Sequence, residues 1–374
     1  MASCLIRAQR GKESGSKPGA AWTRLDAIGT AVRFYGILRQ EMCIGRSRRM
    51  QAVRCREWGP PDVLRLEKVA RRELAPSEVR IRVHAAGVNF ADSLMVGGTY
   101  QVKPPFPFTP GLEAAGEVVE VGRAVDGVRI GQRVLAVLRN GGGYAEEILV
   151  NAAAVVSIPG PMDFVTAAAF PVAYGTSQFA LTQRGHLQAN ETLLVLGAAG
   201  GVGLTAVEIG KILGARVIAA AGGPEKLAIA REHGADEFID YRQESIRDRV
   251  RALTDGKGVD VVFDPVGGDA FDQALRAVNW EARMLVIGFA GGRIQAVPAN
   301  LILVKNISVI GVVWGAQAER APVLISSYLS ELLSWWEAGK LKPVIAKVFP
   351  LARASDALTA LLSRQYAGKI VLET

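Results

Sequence analysis

The run Thr192-Leu193-Leu194-Val195-Leu196 leads straight into Gly197-Ala198-Ala199-Gly200-Gly201-Val202-Gly203. An apolar strand that enters a glycine-dense turn and leaves as a helix opens a βαβ unit. The first N–H groups of such a helix lack intrahelical partners, so a pyrophosphate can dock on them. Helical spacing of Val202, Leu204, Ala206, Val207, Ile209 and Ile212 predicts that helix from Gly201 through Leu213. The glycines fall at Gly197, Gly200 and Gly203, not in the usual G-x-G-x-x-G pattern. A ligand-free tight turn is the plain alternative, and the strand–turn–helix context favours dinucleotide binding through Gly200, Gly201 and Val202.

The following strand, Arg216-Val217-Ile218-Ala219-Ala220-Ala221, ends at the distance where an acid grips the ribose hydroxyls of NAD. Here it ends in Ala221-Gly222-Gly223-Pro224. A carboxylate would repel a 2′-phosphate, and its absence leaves room for one beside Gly222. Lys226, on the first turn of the next helix, is either a countercharge or a solvated surface lysine. Together with the missing acid it points to NADPH.

The alternation continues. Strands are predicted at Glu237–Asp240, Gly258–Asp264, Ala282–Gly288 and Asn306–Val313, with a helix from Asp269 to Val278. Strands separated by helices imply a parallel sheet covered on both faces, a Rossmann domain at about residues 174–313. Residues 50–173 differ. Val79–Ala86, Ala115–Gly122 and Arg133–Leu138 alternate as half-buried strands between glycine turns, which predicts a small β-barrel-like domain. A helix over 321–340 and strands at Lys347–Pro350 and Lys369–Leu372 return the chain, so residues 314–374 complete that first domain.

The net charge of +8 suggests nucleic acid until it is localised. Residues 1–49 carry 10 Lys/Arg against 3 acids, leaving only +1 for the remainder. The body is near neutral and gives no strong nucleic-acid signal. Three cysteines, two of them before Met50, are too few for a disulfide scaffold and fit a reducing, cytoplasmic compartment. The longest uncharged run is the glycine turn itself, so no membrane span is expected. Residues 1–49 read as a disordered extension, Arg-rich and acid-poor. They fit either a mitochondrial transit peptide or a start called too early, with Met50 the natural beginning; the second is favoured. The apolar sixth Rossmann strand would be a hazard as a bare edge, which predicts a homodimer paired along it.

These features together resemble the medium-chain dehydrogenase/reductase superfamily, in its zinc-free, zeta-crystallin-like NADPH:quinone oxidoreductase family. The resemblance rests on ordered anchors from about Met50 to the C-terminus: Gly87-Val88-Asn89-Phe90-Ala91-Asp92, Thr109–Gly116, Gly131-Gln132-Arg133-Val134, Ala173-Tyr174-Gly175-Thr176, Gly200-Gly201-Val202-Gly203, Gly267-Gly268-Asp269 and Gly368-Lys369-Ile370-Val371. It implies a GroES-like β-rich catalytic domain beside the Rossmann domain. Zinc-dependent relatives carry a Gly-His-Glu motif and a ligand cysteine. This chain has Gly111-Leu112-Glu113 and Asn89-Phe90-Ala91-Asp92 there, and Cys55, His84, His186 and His233 are scattered. No metal site is expected.

Without zinc, the chemistry open to such a site is hydride delivery to an acceptor that is already electron-poor, a quinone or a conjugated carbonyl. The resemblance implies a site between the domains lined by Asn89, Asp92 and Tyr100. Asn89 would bond a carbonyl or a ribose hydroxyl, Tyr100 would donate a proton or stack on a ring, and Asp92 would orient either. All three are also ordinary turn residues able to satisfy local backbone. It further implies Thr176 near the nicotinamide or pyrophosphate, Lys226, Tyr241 and Arg364 at the 2′-phosphate, and Phe289 at the strands' carboxyl ends. Leu94 stands where many relatives have a second tyrosine, which makes the pocket more apolar. Quinone reduction leads. Reduction of an α,β-unsaturated carbonyl or acyl thioester, and non-catalytic NADPH binding as in crystallin-like or RNA-binding relatives, are the alternatives.

Overall fold

The computed structural model describes residues 49–374, and the extension before Arg49 lies outside them. Two large sheets organise the described residues. The first has six parallel strands in the order Glu237–Asp240, Arg216–Ala221, Thr192–Leu196, Val259–Asp264, Val278–Val286 and Ser308–Gly311. Numbered along the chain this is 3-2-1-4-5-6, the doubly wound order whose switch point lies between the first and fourth strands.

Its central strands are largely apolar because both faces are covered. Leu193 and Val195 point into one cluster with Val217, Ala219, Val261 and Phe263. Leu194 and Leu196 point into the other with Ile218, Ala220, Ile239 and Val262. That partition is the two-residue period of a strand made visible. The glycine turn leads into the helix Gly201–Ile212. At Gly203 a Cβ would lie 2.2 Å from the Gly197 carbonyl oxygen, so only glycine lets helix and strand approach this closely.

Several boundaries differ from expectation; the helix predicted over Asp269–Val278 is Gly268–Leu275, because Val278 already belongs to the next strand. The fifth strand starts earlier, at Val278, which pairs with Val259. The sixth is only Ser308–Gly311, because Asn306 adopts the left-handed conformation (φ 53°) that ends the helix Ala299–Lys305. The predicted helix near the C-terminus spans Pro322–Glu337.

The second sheet has seven strands and is antiparallel except at one edge. Glu78–Val88 lies at its centre, against Glu113–Val121, Glu147–Asn151 and the C-terminal strand Lys369–Glu373. Ile345–Pro350 runs parallel to that last strand. A hydrophobic cluster including Ile81, Val88, Met95, Val134, Tyr144 and Ile370 fills this domain. The domains are not separate cores. Ala85, Leu135 and Val371 of the second sheet share one buried cluster with Leu193 and Val195 of the first, and with Leu329, Leu332 and Leu333 of the late helix. No helix among the described residues is long and apolar enough to cross a membrane.

Candidate active site

The switch point of the parallel sheet opens into a cavity of about 260 Å³. Its floor is the glycine turn, from Gly197 through Val202, with Pro265 and Val266 beyond the fourth strand. The helix Gly201–Ile212 presents its N-terminus there, with Gly200 in extended conformation as its cap and without a side-chain cap bond. Unpaired first-turn N–H groups and the helix dipole favour an anion.

One end of the cavity is cationic. Lys226, Tyr241 and Arg364 line it, and the Arg242 guanidinium lies against Gly222, 2.9 Å from where a Cβ would stand. The Lys226 ammonium donates to the Arg364 backbone carbonyl at 2.6 Å, and the Arg364 guanidinium donates to the Ala290 carbonyl. Burial, then the charges of Arg242 and Arg364, hold the Lys226 ammonium below the usual lysine range. Like charges gathered without a carboxylate among them suit a polyanionic ligand. The nearby acid, Asp240, is occupied by backbone: its Oδ1 accepts from the N–H groups of Gly223 and Arg242. Gly222 is buried, and a Cβ there would sit 3.0 Å from the Tyr241 ring.

At the other end stand Asn89 and Lys369. Asn89 follows the central strand Glu78–Val88 and caps the helix Phe90–Val96. Its Nδ2 donates to Glu113 Oε1 at 2.9 Å, and its Oδ1 accepts from Lys369 Nζ at 2.7 Å. Lys369 also pairs with Glu113 Oε1 at 2.7 Å. Behind them Asp92 is fully buried. Its Oδ2 accepts from the Asn89 N–H at 2.8 Å and from the Tyr144 hydroxyl at 2.9 Å, while Oδ1 has no partner. Burial pushes the Asp92 carboxyl up to about 7, against the opposing hydrogen bonds and the Lys369 charge.

The expected site residues therefore divide. Asn89, Gly200, Gly201, Val202, Lys226, Tyr241 and Arg364 line one cavity, with Gly222 behind Tyr241. Asp92 stands behind Asn89. Tyr100 is half-buried against the core of the second sheet's domain with Met95 and Val96, and burial and Asp92 raise its phenol. Neither Asp92 nor Tyr100 lines the cavity. Leu94 is half-buried on the same helix and does not line it either. Thr176 is buried in the helix Pro171–Gln178, and the Phe289 ring lies over Gly267.

Four participants escaped sequence reasoning as site residues: Arg242, Glu113, Tyr144 and Lys369. Arg242 is adjacent to Tyr241, which was the available signal. Glu113 and Lys369 meet Asn89 through the strands that flank Glu78–Val88, and Tyr144 reaches Asp92 from the turn before Glu147–Asn151, which no local pattern announces. Among the described residues no three His, Cys, Asp or Glu side chains converge as metal ligands. His84 stacks on Phe164 at 4.3 Å between ring centroids.

The comparisons agree with this geometry. Residues 75–160 match the alcohol dehydrogenase GroES-like domain, and residues 201–329 match the zinc-binding dehydrogenase model. A quinone oxidoreductase-like protein 2 homolog from Nematostella vectensis is 43% identical over 326 residues, covering 87% of this chain and 89% of that one. The quinone oxidoreductase-like protein 2 of Rattus norvegicus is 41% identical over 329 residues, covering 88% and 93%. The Escherichia coli quinone oxidoreductase, solved in complex with NADPH, superposes with a TM-score of 0.80 at 29% identity, covering 87% of this chain and 100% of that one. With a doubly wound sheet, a GroES-like partner domain and relatives of this similarity over nearly their whole length, the chain belongs to the zinc-free quinone oxidoreductase family of medium-chain dehydrogenases/reductases.

Proposed function

We propose that this chain is an NADPH-dependent reductase of quinones. One observation carries the reading: a single cavity joins a helix N-terminus, Lys226 and Arg364 with Arg242 close to Lys226, and a polar end built on Asn89. The glycine turn fits a pyrophosphate, because it delivers the uncapped N-terminus of the helix Gly201–Ile212 to the cavity. Lys226, Arg242 and Arg364 fit a 2′-phosphate, with Tyr241 beside it. Bound NADPH supplies a hydride and the redox chemistry. Asn89 offers a hydrogen bond at the opposite end, and Asp92 holds the Asn89 backbone in place. Tyr100, Thr176 and Phe289 are not among the residues that line the cavity. The names of the relatives, and the NADPH complex of the E. coli protein, support it.

The test is NADPH oxidation by the full chain with 9,10-phenanthrenequinone, with a medium-chain 2-enal, with NADH in place of NADPH, and without acceptor. Turnover with quinone and NADPH is expected. Turnover with the enal alone would move the assignment to double-bond reduction, and cofactor binding without any oxidation would refute catalysis.

We also propose a homodimer paired along Ser308–Gly311. That strand is an edge of the six-stranded sheet among the described residues. Exposed Val313, and the exposed Leu303 and Val304 of the preceding helix, flank it, and an uncovered apolar edge is a liability. Sedimentation at micromolar concentration should give a dimer, and a monomer would refute the pairing.

A further inference from the structure

The strand that ends the chain carries one charge into the cavity. A parallel bridge joins Gly368 to Gly200, and the Gly368 N–H donates to the Ala199 carbonyl at 2.9 Å, so the base of that strand is stitched to the glycine turn. The Lys369 side chain is 9% exposed. Its Nζ donates to Asn89 Oδ1 at 2.7 Å, Glu113 Oε1 at 2.7 Å and the Val88 carbonyl at 3.1 Å. Glu113 is wholly buried, and its Oε2 accepts the Val172 N–H at 2.7 Å. Gly87 makes room for it: a Cβ there would lie 2.1 Å from Glu113 Oε1 and 2.5 Å from the Ala168 carbonyl.

A buried ion pair is a poor route to stability, since hydrophobic residues of similar volume commonly do as well. This one acts on a carboxamide. An amide has a donor end and an acceptor end, and here an ammonium meets the oxygen while a carboxylate meets the nitrogen. Turning the amide over would set NH₂ against ammonium and carbonyl oxygen against carboxylate. Only one orientation is allowed. It commits Oδ1 to Lys369 and one Nδ2–H to Glu113, and leaves the second N–H for a ligand in a side chain that lines the cavity.

We propose that Lys369 and Glu113 are a positioning pair that locks Asn89 as a hydrogen-bond donor to the carbonyl oxygen of the hydride acceptor. The inference rests on the reductase reading above. In that reaction NADPH loses a hydride and becomes NADP⁺. The quinone gains that hydride, both electrons and its proton, and with one further proton from solvent becomes the hydroquinone. Asn89 meets the negative charge on oxygen before that proton arrives. A donor already oriented stabilises such charge without reorganising.

The experiment uses the full chain with NADPH and 9,10-phenanthrenequinone. Lys369→Met alone would strand a buried carboxylate, so the main variant is Lys369→Met with Glu113→Gln, which removes both charges. It should lose about 10- to 100-fold in kcat, short of the roughly 10²–10³-fold for deleting an oxyanion donor outright. NADPH Kd, read by fluorescence without acceptor, should stay within about threefold, a change worth well under the tenfold that one strong contact represents. Asn89→Ala should abolish the dependence, so adding the pair substitution to it costs nothing more.

Lys369→Arg keeps a cation on Oδ1 and should retain more activity than Asn89→Ala, which serves if the pair variant does not fold. The proposal is overturned by near wild-type kcat in the pair variant, by losses that multiply on Asn89→Ala, by Kd weakening in step with kcat/KM, or by a Lys369→Arg no better than Asn89→Ala. A wild-type protein that binds NADPH but does not oxidise it with the quinone would overturn the reductase reading itself, and this inference with it.

Discussion

Replacing Lys226 with Met tests the cation cluster. A hydrogen bond to a charged group contributes about 1.5–3 kcal/mol. Lys226 is only partly buried and two arginines remain beside it, so the lower end applies after solvent screening. About 1.5 kcal/mol is roughly a tenfold weaker NADPH Kd. NADH has no 2′-phosphate, so its Kd should not move, and NADPH selectivity should fall by that same factor. Titration of cofactor fluorescence measures both. The ammonium also donates to the Arg364 carbonyl at 2.6 Å, so a purely structural effect must be separated; Lys226→Arg, which keeps the charge, should restore most of the selectivity. Because the Lys226 ammonium is held below the usual lysine range by burial and by Arg242 and Arg364, it loses its proton earlier on the alkaline side than an ordinary lysine. Wild-type selectivity should therefore decline as pH rises into that range, and the Met variant should show no such decline. Parallel weakening of NADPH and NADH, or a pH profile shared by both proteins, would refute the assignment.

Gly203→Ala places a Cβ 2.2 Å from the Gly197 oxygen and 2.9 Å from the Ala198 Cα. Both are backbone atoms, so a destabilisation of about 1–3 kcal/mol, with weakened NADPH binding, is expected in thermal melts and titration; an unchanged Tm would contradict the packing. Gly87→Ala should push Glu113 off Asn89 and lower kcat, and full activity would show that the contact can relax. Asp92→Asn tests linkage. The folded carboxyl sits at about 7 and the unfolded one near its ordinary value of about 4, so the native state holds a proton that the unfolded chain releases. Wild-type stability then falls as pH climbs from about 4 to about 7, by on the order of 4 kcal/mol at 1.36 kcal/mol per pH unit. The Asn variant lacks that slope and should gain on wild type across the window in urea unfolding, and a constant gap would refute it.

The Rossmann half was legible because its signals are local. Strand periodicity, the turn from Gly197 to Gly203 and the missing acid after Ala221 are each read from residues adjacent in the chain, whereas the order of the parallel strands is seen only in the fold. The ends of strands were less so, since Asn306 stops the preceding helix by backbone conformation that sequence does not display. The cation cluster was partly visible, through Lys226, Tyr241 and Arg364.

The polar end of the cavity was a different matter. Asn89 belonged to a recognisable motif, but the partners of its carboxamide come from residues 24 and 280 positions away. Sequence alone determined the glycine turn, the apolar strands and the near-neutral body, because each depends on residue type and short-range spacing. Only the tertiary structure decided that the last strand pairs with Glu78–Val88 and sets Lys369 against Asn89 and Glu113. A charge's neighbours in a folded core depend on which strands are hydrogen-bonded side by side, and that register is a property of the whole sheet.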